Sequence, residues 1–322
     1  LCFFFFFKEE HCNKICYNKE ESLFIINLKE VKPMTTTEKK DFLSNHSYEL
    51  YEATTMPFPN KTISHFALTD SLLRYAGKYQ KNIVHFWPTI NLVILGMMDT
   101  KLPYFKDALA VLEGYGQPYI VRNSGGLAVV GDEGVLNFSL ILPEDPQQKM
   151  PINTGYDYMM QLINDALKPF GKKSLAYEIK NSYCPGDYDL SIDGKKFAGI
   201  SQRRLKNGVA IMIYISVNGN QTKRAEMIRD FYQAGLKGET VKWHFPSVDP
   251  AAMATLEDLL GISLTVAEMK NLILHTLLQN NCTIVAGEYS SEIIADYNEG
   301  FEKMIRRNQQ MLGNSIDKEL SE

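Results

Sequence analysis

Apolar positions recur at nearly helical spacing over residues 64–80. Phe66, Leu68, Leu72, Leu73 and Tyr75 fall close to one face, and Ser64 stands where an N-cap belongs. The period then changes. Residues 82–87 and 91–98 read as strands on either side of Pro88, which would break a single long one. A helix is predicted from Pro103 to Glu113, opened by its proline and stopped at Gly114. Strands follow at 118–123, near 127–130 and at 134–142, with Gly125-Gly126 between the first two, and a helix over 154–169.

The clearest pattern comes next. Residues 188–192 run into Asp193-Gly194, a two-residue hairpin turn, and 195–206 return. Asn207-Gly208 reads as a second such turn. Beyond it Val209, Ile211, Ile213, Ile215 and Val217 alternate, so the three segments predict an antiparallel meander with one apolar face. Helices are predicted over 221–235, about 249–260, 265–279 and 290–311, with Gly261-Ile262-Ser263 separating two of them. Neither an internal repeat nor a Pro/Gly/Ser-rich linker interrupts this succession. The expected fold class is α+β: a mixed, largely antiparallel sheet flanked by helices.

Composition narrows the function. Of the 322 residues, 45% are apolar and 22% charged, as in an ordinary chain with a sizeable core. The net charge of −4 gives no overall field for nucleic acid or an anionic membrane, and no apolar run approaches a membrane span. Residues 1–33 stand apart. They open Leu1-Cys2 and run through Phe3 to Phe7, with no Met before Met34, and the apolar run is too short for a signal peptide. Cys2, Cys12 and Cys16 lie here; Cys12-x3-Cys16 with His11 lacks a fourth metal ligand at a zinc spacing. The expectation is a leader of upstream translated sequence over 1–33, with native structure beginning near Met34. The body then holds only Cys184 and Cys282, the cysteine usage of a reducing, cytoplasmic enzyme.

Candidate chemistry gathers in three places. With Asp193-Gly194 as the loop, Ser191 faces Lys196 and Asp189 faces Ala198. Asp189, Ser191, Lys196 and Ala198 then share one face, and Leu190, Ile192 and Phe197 the other. Such a lysine–aspartate pair is ordinarily a solvated face with a weak ion pair; on an inner face it is a site. Cys184 lies in Tyr183-Cys184-Pro185-Gly186-Asp187, a loop just before the hairpin. Most lone cysteines are small buried hydrophobes, but a lysine on the adjoining hairpin favours a thiolate. Cys282 has no such companion and reads as structural. Arg122 and Gly125-Gly126 sit between two strands, where glycines let backbone N–H groups approach a ligand closely, although a plain hairpin turn would look the same. P-loop, Rossmann and zinc patterns are absent. His65, His85, His244 and His275 are scattered, and Phe86, Trp87, Met97 and Met98 read as core.

Taken together, these motifs resemble those of the lipoate/biotin protein ligase and octanoyltransferase superfamily. The resemblance rests on Arg122-Asn-Ser-Gly-Gly-Leu-Ala-Val-Val, Gly134-Val-Leu-Asn-Phe-Ser139, and Asp189 followed by Gly194-Lys-Lys196-Phe-Ala-Gly199. Ala67-x-x-Asp70 and Trp87-Pro88 add to it, and it spans roughly 45 to 280. Within the superfamily, Ser182-Tyr-Cys-Pro-Gly-Asp-Tyr-Asp-Leu-Ser191 is similar to the octanoyl-[glycine cleavage H protein]:protein N-octanoyltransferases of Gram-positive bacteria. The resemblance implies that Cys184 is the acyl-thioester nucleophile and that Lys196 acidifies it and contacts the acyl carbonyl. It implies a substrate pocket formed by Arg122, Ser124, Gly125, Gly126, Leu127, Asn137, Asp189, Gly199, Ile200 and Ser201, with the acyl chain in a tunnel beneath the glycine-rich turn. It implies a catalytic domain over 34–250 carrying a C-terminal helical segment, 251–322. It implies an H protein carrying an octanoyl or a lipoyl group as donor, E2 lipoyl domains of 2-oxoacid dehydrogenases as acceptors, and no cofactor, metal, nucleic acid or membrane partner.

The departures matter too. ATP-using lipoate ligases carry a double arginine, a third glycine and a His-Asp around the glycine turn. Here those places hold Arg122-Asn123, Leu127 and Gly131-Asp132. Octanoyltransferases that draw on acyl carrier protein place a cysteine on the strand after the lysine, and none is there. An ATP-dependent ligase, an acyl-carrier-protein-dependent enzyme with an upstream cysteine and a silent acyl-lysine binding protein stay open as alternatives.

Overall fold

The computed structural model describes residues 43–57, 63–88 and 91–313. The leader and its cysteines lie outside the described residues. The chain runs β1 (Ser47–Glu52), α1 (Ser64–Tyr79), β2 (Asn82–Phe86), β3 (Leu92–Leu95), α2 (Phe105–Gly114), β4 (Tyr119–Val121), β5 (Val129–Gly131) and β6 (Val135–Pro143). It continues through α3 (Ile152–Leu167), β7 (Leu175–Ala176), β8 (Asp189–Ile192), β9 (Lys195–Leu205) and β10 (Gly208–Ser216). Then come α4 (Gln221–Leu236), α5 (Leu256–Leu260), α6 (Val266–Gln279), β11 (Thr283–Ala286) and α7 (Ser291–Leu312).

Eight strands form one mixed sheet in the order β11-β1-β2-β6-β10-β9-β8-β7, and β4-β3-β5 form a second. Pairing is parallel at β11-β1, β1-β2 and β3-β4, and antiparallel elsewhere. The α+β expectation holds. The break at Pro88 does more than interrupt a strand: it sends β2 and β3 into different sheets. Helices α3 and α6 cover one face of the large sheet, and α1 and α7 the other. Helices α2 and α4 pack together beside the small sheet. Among the described residues no helix is long and apolar enough to cross a membrane.

Four local expectations are corrected. The β9–β10 turn is Lys206-Asn207, both left-handed at φ 49° and 62°, and Gly208 is already in strand register opposite Leu205. Gly208 is needed for another reason: a Cβ there would lie 2.3 Å from the Leu73 carbonyl oxygen of α1. Strand β10 is not apolar on one face only. Val209, Ile211, Ile213 and Ile215 enter the α3/α6 core, while Ala210 and Met212 enter the α1/α7 core, because helices cover both sides. Ser64 does not cap α1. Its hydroxyl is buried 2.9 Å from that of Tyr297 on α7, and Ile63 takes the N-cap place. The helix expected over 249–260 is a short turn at Pro250–Ala252 followed by α5, which a Thr255–Asp258 capping box opens. Between them the chain is extended, since the Ala254 N–H donates to the Lys196 carbonyl at 3.0 Å. Strands β1, β7 and β11 carry no clear alternation and are added by the structure.

Candidate active site

The hairpin β8–β9 carries the site, and its register differs from the simple one. Ser191 pairs with Lys196, but Leu190 pairs with Ala198 and Asp189 with Gly199. Phe197 is thus an extra residue, a bulge. It turns Ala198 into the core beside Leu190, Ile192 and Phe197 and leaves Asp189 and Lys196 together on the other side. That side is not solvated. Asp189 and Lys196 are each 2% exposed, with Oδ1 and Nζ 2.8 Å apart. The 177–188 loop folds back over them. Its Ile179 and Gly186 N–H groups donate to Asp189 Oδ2 at 3.1 and 3.2 Å. Lys196 Nζ donates to the carbonyls of Tyr183 (2.9 Å) and Cys184 (2.7 Å) and to Ser182 Oγ (3.2 Å). Burial pushes the Asp189 carboxyl up, against the pull of Lys196 and the two amides.

This clamp fixes Cys184 in a left-handed conformation, φ 46°. For a residue with a Cβ that is a strained state, held by its surroundings. The thiol is free and half-buried. Its Sγ accepts from the Leu127 N–H at 3.2 Å and lies 3.7 Å from Arg122 Nη2. The cation bonded to the sulfur is therefore Arg122, while Lys196 grips the carbonyl of the same residue. Arg122 Nη2 also donates to the Leu127 carbonyl at 2.9 Å, which ties the ends of the glycine turn. Gly126 sits at φ 97°, and a Cβ on it would lie 2.2 Å from Arg122 Nη2 and 3.1 Å from Sγ. Here the glycine is a steric necessity rather than a plain turn residue.

The glycine turn is anchored from outside. Arg203 on β9 forms a two-pronged ion pair with Asp70 on α1 and donates to the Asn123 carbonyl at 2.8 Å, and Asn123 Nδ2 returns to Asp70 at 3.1 Å. Arg203 went unmarked in the sequence; its only signal is a basic pair, Arg203-Arg204, near the end of β9.

A cavity of about 280 Å³ opens beneath the sulfur. Arg122, Ser124, Gly125, Gly126, Asn137, Cys184, Asp189, Lys196, Gly199, Ile200 and Ser201 all line it. Leu127 alone of the expected set does not; its amide reaches the sulfur instead. The apolar wall is Phe66, Trp87, Ile94, Val129, Met212 and Ile213; of these, Trp87 was expected in the core. Trp87 is oriented by its Nε1–H, which donates to Ser139 Oγ at 2.8 Å. Tyr183 and Tyr214 add a polar corner, hydroxyl to hydroxyl at 2.5 Å, with Gln221 Nε2 3.3 Å from Tyr183. Cys282 is buried on β1's side of the sheet and donates to the Leu43 carbonyl at 2.7 Å, a structural place.

Known proteins resemble this chain in sequence and in fold. Residues 62–278 match the lipoyl protein ligase A/B catalytic domain. The octanoyl-[GcvH]:protein N-octanoyltransferase of Macrococcus caseolyticus is 43% identical over 246 residues, covering 76% of this chain and 89% of that protein. The lipoyl-[GcvH]:protein N-lipoyltransferase of Listeria monocytogenes is 41% identical over 251 residues, 78% and 90% of the two chains. Among solved structures, lipoate-protein ligase A bound with ATP shares the fold at a TM-score of 0.61, with 20% identity over 83% of this chain and 98% of its own. The bipartite lipoate protein ligase of Thermoplasma acidophilum does so at 0.60, with 20% identity over 83% and 96%. On its sequence match and its fold, the chain belongs to the lipoyl protein ligase A/B catalytic-domain family.

Proposed function

We propose that this chain is an acyltransferase that moves an octanoyl group from the lysine of GcvH to the lysine of an E2 lipoyl domain, through a thioester on Cys184. The observation that carries this reading is the placement of the Cys184 sulfur. It stands at an apolar cavity, in a strained backbone, with one amide N–H and one guanidinium directed at it. A saturated chain entering that cavity buries seven carbons beyond the carbonyl, on the order of 5 kcal/mol of transfer energy.

The Cys184 thiolate attacks the amide carbonyl of octanoyl-lysine. The Leu127 N–H and Arg122 offer donors beside the developing oxyanion. The C–N bond breaks, and the lysine amine leaves with the proton the thiol gave up. Octanoyl-Cys184 remains. The acceptor lysine, as free amine, attacks this thioester; the C–S bond breaks, an amide reforms, and the amine's proton returns the thiol. One amide replaces another, so the transfer is near balance and needs no ATP, and ping-pong kinetics follow. Lys196 holds the Cys184 carbonyl and pairs Asp189, keeping the nucleophile loop in place. In this reading residues 34–250 are the catalytic unit, residues 251–322 belong with it, and the enzyme works in the cytoplasm.

Intact mass spectrometry tests it. The protein is mixed with octanoylated GcvH without ATP, and apo lipoyl domain is then added. The expected result is one octanoyl group on Cys184 that passes to the acceptor, and none in Cys184→Ser. Transfer by Cys184→Ser at a substantial rate, or no adduct in the unsubstituted protein, overturns the reading.

A further inference from the structure

A second carboxylate lies behind the glycine turn. Asp99 follows β3, is 0% exposed, and has no ion-pair partner among the described residues. Buried carboxylates without a cation are costly, and an apolar residue of similar size ordinarily serves stability better. Its two oxygens are used separately. Oδ2 accepts the Gly96 N–H at 2.7 Å, and Oδ1 accepts the Tyr232 hydroxyl from α4 at 2.8 Å. The Tyr232 oxygen in turn accepts the Ala128 N–H at 3.2 Å. Ala128 is the neighbour of Leu127, whose N–H touches the Cys184 sulfur. Gly96 presses the other end of the same strap: a Cβ on it would lie 1.9 Å from the Gly126 carbonyl oxygen. One carboxylate therefore holds two of the contacts on residues 126–128, beside the bond from Arg122 to the Leu127 carbonyl.

We propose that Asp99 and Tyr232 are positioning residues that aim the Leu127 amide at the Cys184 sulfur, acting through Ala128 and Gly96. For its role in catalysis this rests on the transferase reading; for the geometry it does not. The groups facing Asp99 are Tyr232 from α4 and Arg122 from the end of β4, with Cys184 beyond Tyr232. Burial holds the Asp99 carboxyl up at about 6, so its charge on Tyr232 is present above that pH and lost below it.

The test is the rate of Cys184 alkylation by iodoacetamide against pH, read on the Cys184 peptide, for the full chain and for Asp99→Asn and Tyr232→Phe, with thermal melts of each. Weakening an amide bond to a thiolate moves its titration upward. Both variants are therefore expected to shift the alkylation profile to higher pH by roughly half a unit or more. The ratio of the unsubstituted rate to the Asp99→Asn rate is expected to fall towards one as pH drops through about 6. A merely structural pair would lower the melts and leave the profiles superimposed, and that result overturns the proposal. Asp99→Asn keeps the shape of the side chain, so it decides the matter even where Tyr232→Phe folds poorly. The readout uses no substrate. A protein that takes no octanoyl group from GcvH would sink the transferase reading and leave this measurement intact.

Discussion

Lys196 offers three protons to four acceptors: two carbonyls, one hydroxyl and one carboxylate. It is the pin of the nucleophile loop, and its removal is not a surface change. Lys196→Met leaves Asp189 buried without its cation and frees the Cys184 carbonyl. The expected loss is about 3 kcal/mol or more of folding stability in urea titrations. Adding Asp189→Asn should recover part of that loss, because the uncompensated charge is gone. Equal losses for the single and double variants would mean that the pair contributes packing and not charge. Gly126 is the second sensitive residue. Gly126→Ala puts a methyl onto Arg122 Nη2 at a φ of 97°. Acyl-Cys184 formation should fall by at least tenfold, with a stability loss of about 1–3 kcal/mol from the strained backbone. Single-turnover acylation with octanoylated GcvH reads the first and a melt the second.

At the scale of elements, the central hairpin and the helix across it are matched by two glycines. α1 crosses the β9–β10 turn so closely that a Cβ at Gly77 would meet the Lys206 carbonyl oxygen at 2.2 Å, and one at Gly208 would meet that of Leu73 at 2.3 Å. Both obstacles are backbone and cannot rotate away. Gly208→Ala should therefore destabilise by roughly 2–4 kcal/mol, where a tolerated glycine-to-alanine change stabilises by up to about 1 kcal/mol. A denaturation midpoint within error of the unsubstituted protein would show that α1 can lift off the turn. This crossing also shows what the sequence could and could not tell. The alternation of Val209 to Val217 and the Asp193-Gly194 turn were legible, because period and turn chemistry are local. Whether the opposite face of β10 was covered was not, because α1 lies more than a hundred residues upstream. The same limit hid the burial of Asp189 and Lys196. A strand pattern says which side chains share a face and not which loop folds over it. The Phe197 bulge moved Ala198 to the other face, and one inserted residue leaves no mark in composition. Cys184, Lys196, Asp189, Arg122 and Gly125-Gly126 stood out by register and turn context, and motif resemblance gave their roles and the rest of the pocket. Asp99, Tyr232 and Arg203 act through the backbone of the glycine turn, so no spacing marked them.

At the scale of the whole molecule, burial on both faces of the large sheet traps two histidines. His65 on α1 and His85 on β2 lie with ring centroids 5.6 Å apart, beside Trp87 of the cavity wall. None of their ring nitrogens has a hydrogen-bond partner among the described residues. Burial lowers His65 to about 3 and His85 well below its ordinary value, with His65 adding to the effect on His85. The unfolded chain protonates both near pH 6.5, and the folded protein does not. Their contribution is therefore complete above pH 6.5 and is lost as pH falls from there towards 3, at up to about 1.4 kcal/mol per pH unit for each ring. Asp99 acts in the opposite sense: the folded protein takes up its proton first, near pH 6, so it partly masks the histidines in a raw stability profile. The difference between variants removes that mask. His65→Phe keeps an aromatic ring against Trp87 and has no proton to bind. Relative to the unsubstituted protein, its urea stability should gain about 2 kcal/mol between pH 6.5 and pH 5, whatever its offset at neutral pH. A constant difference across that range would mean that His65 is protonated in the folded state. The packing of α1 over β2 would then have to admit water to the back of the cavity wall.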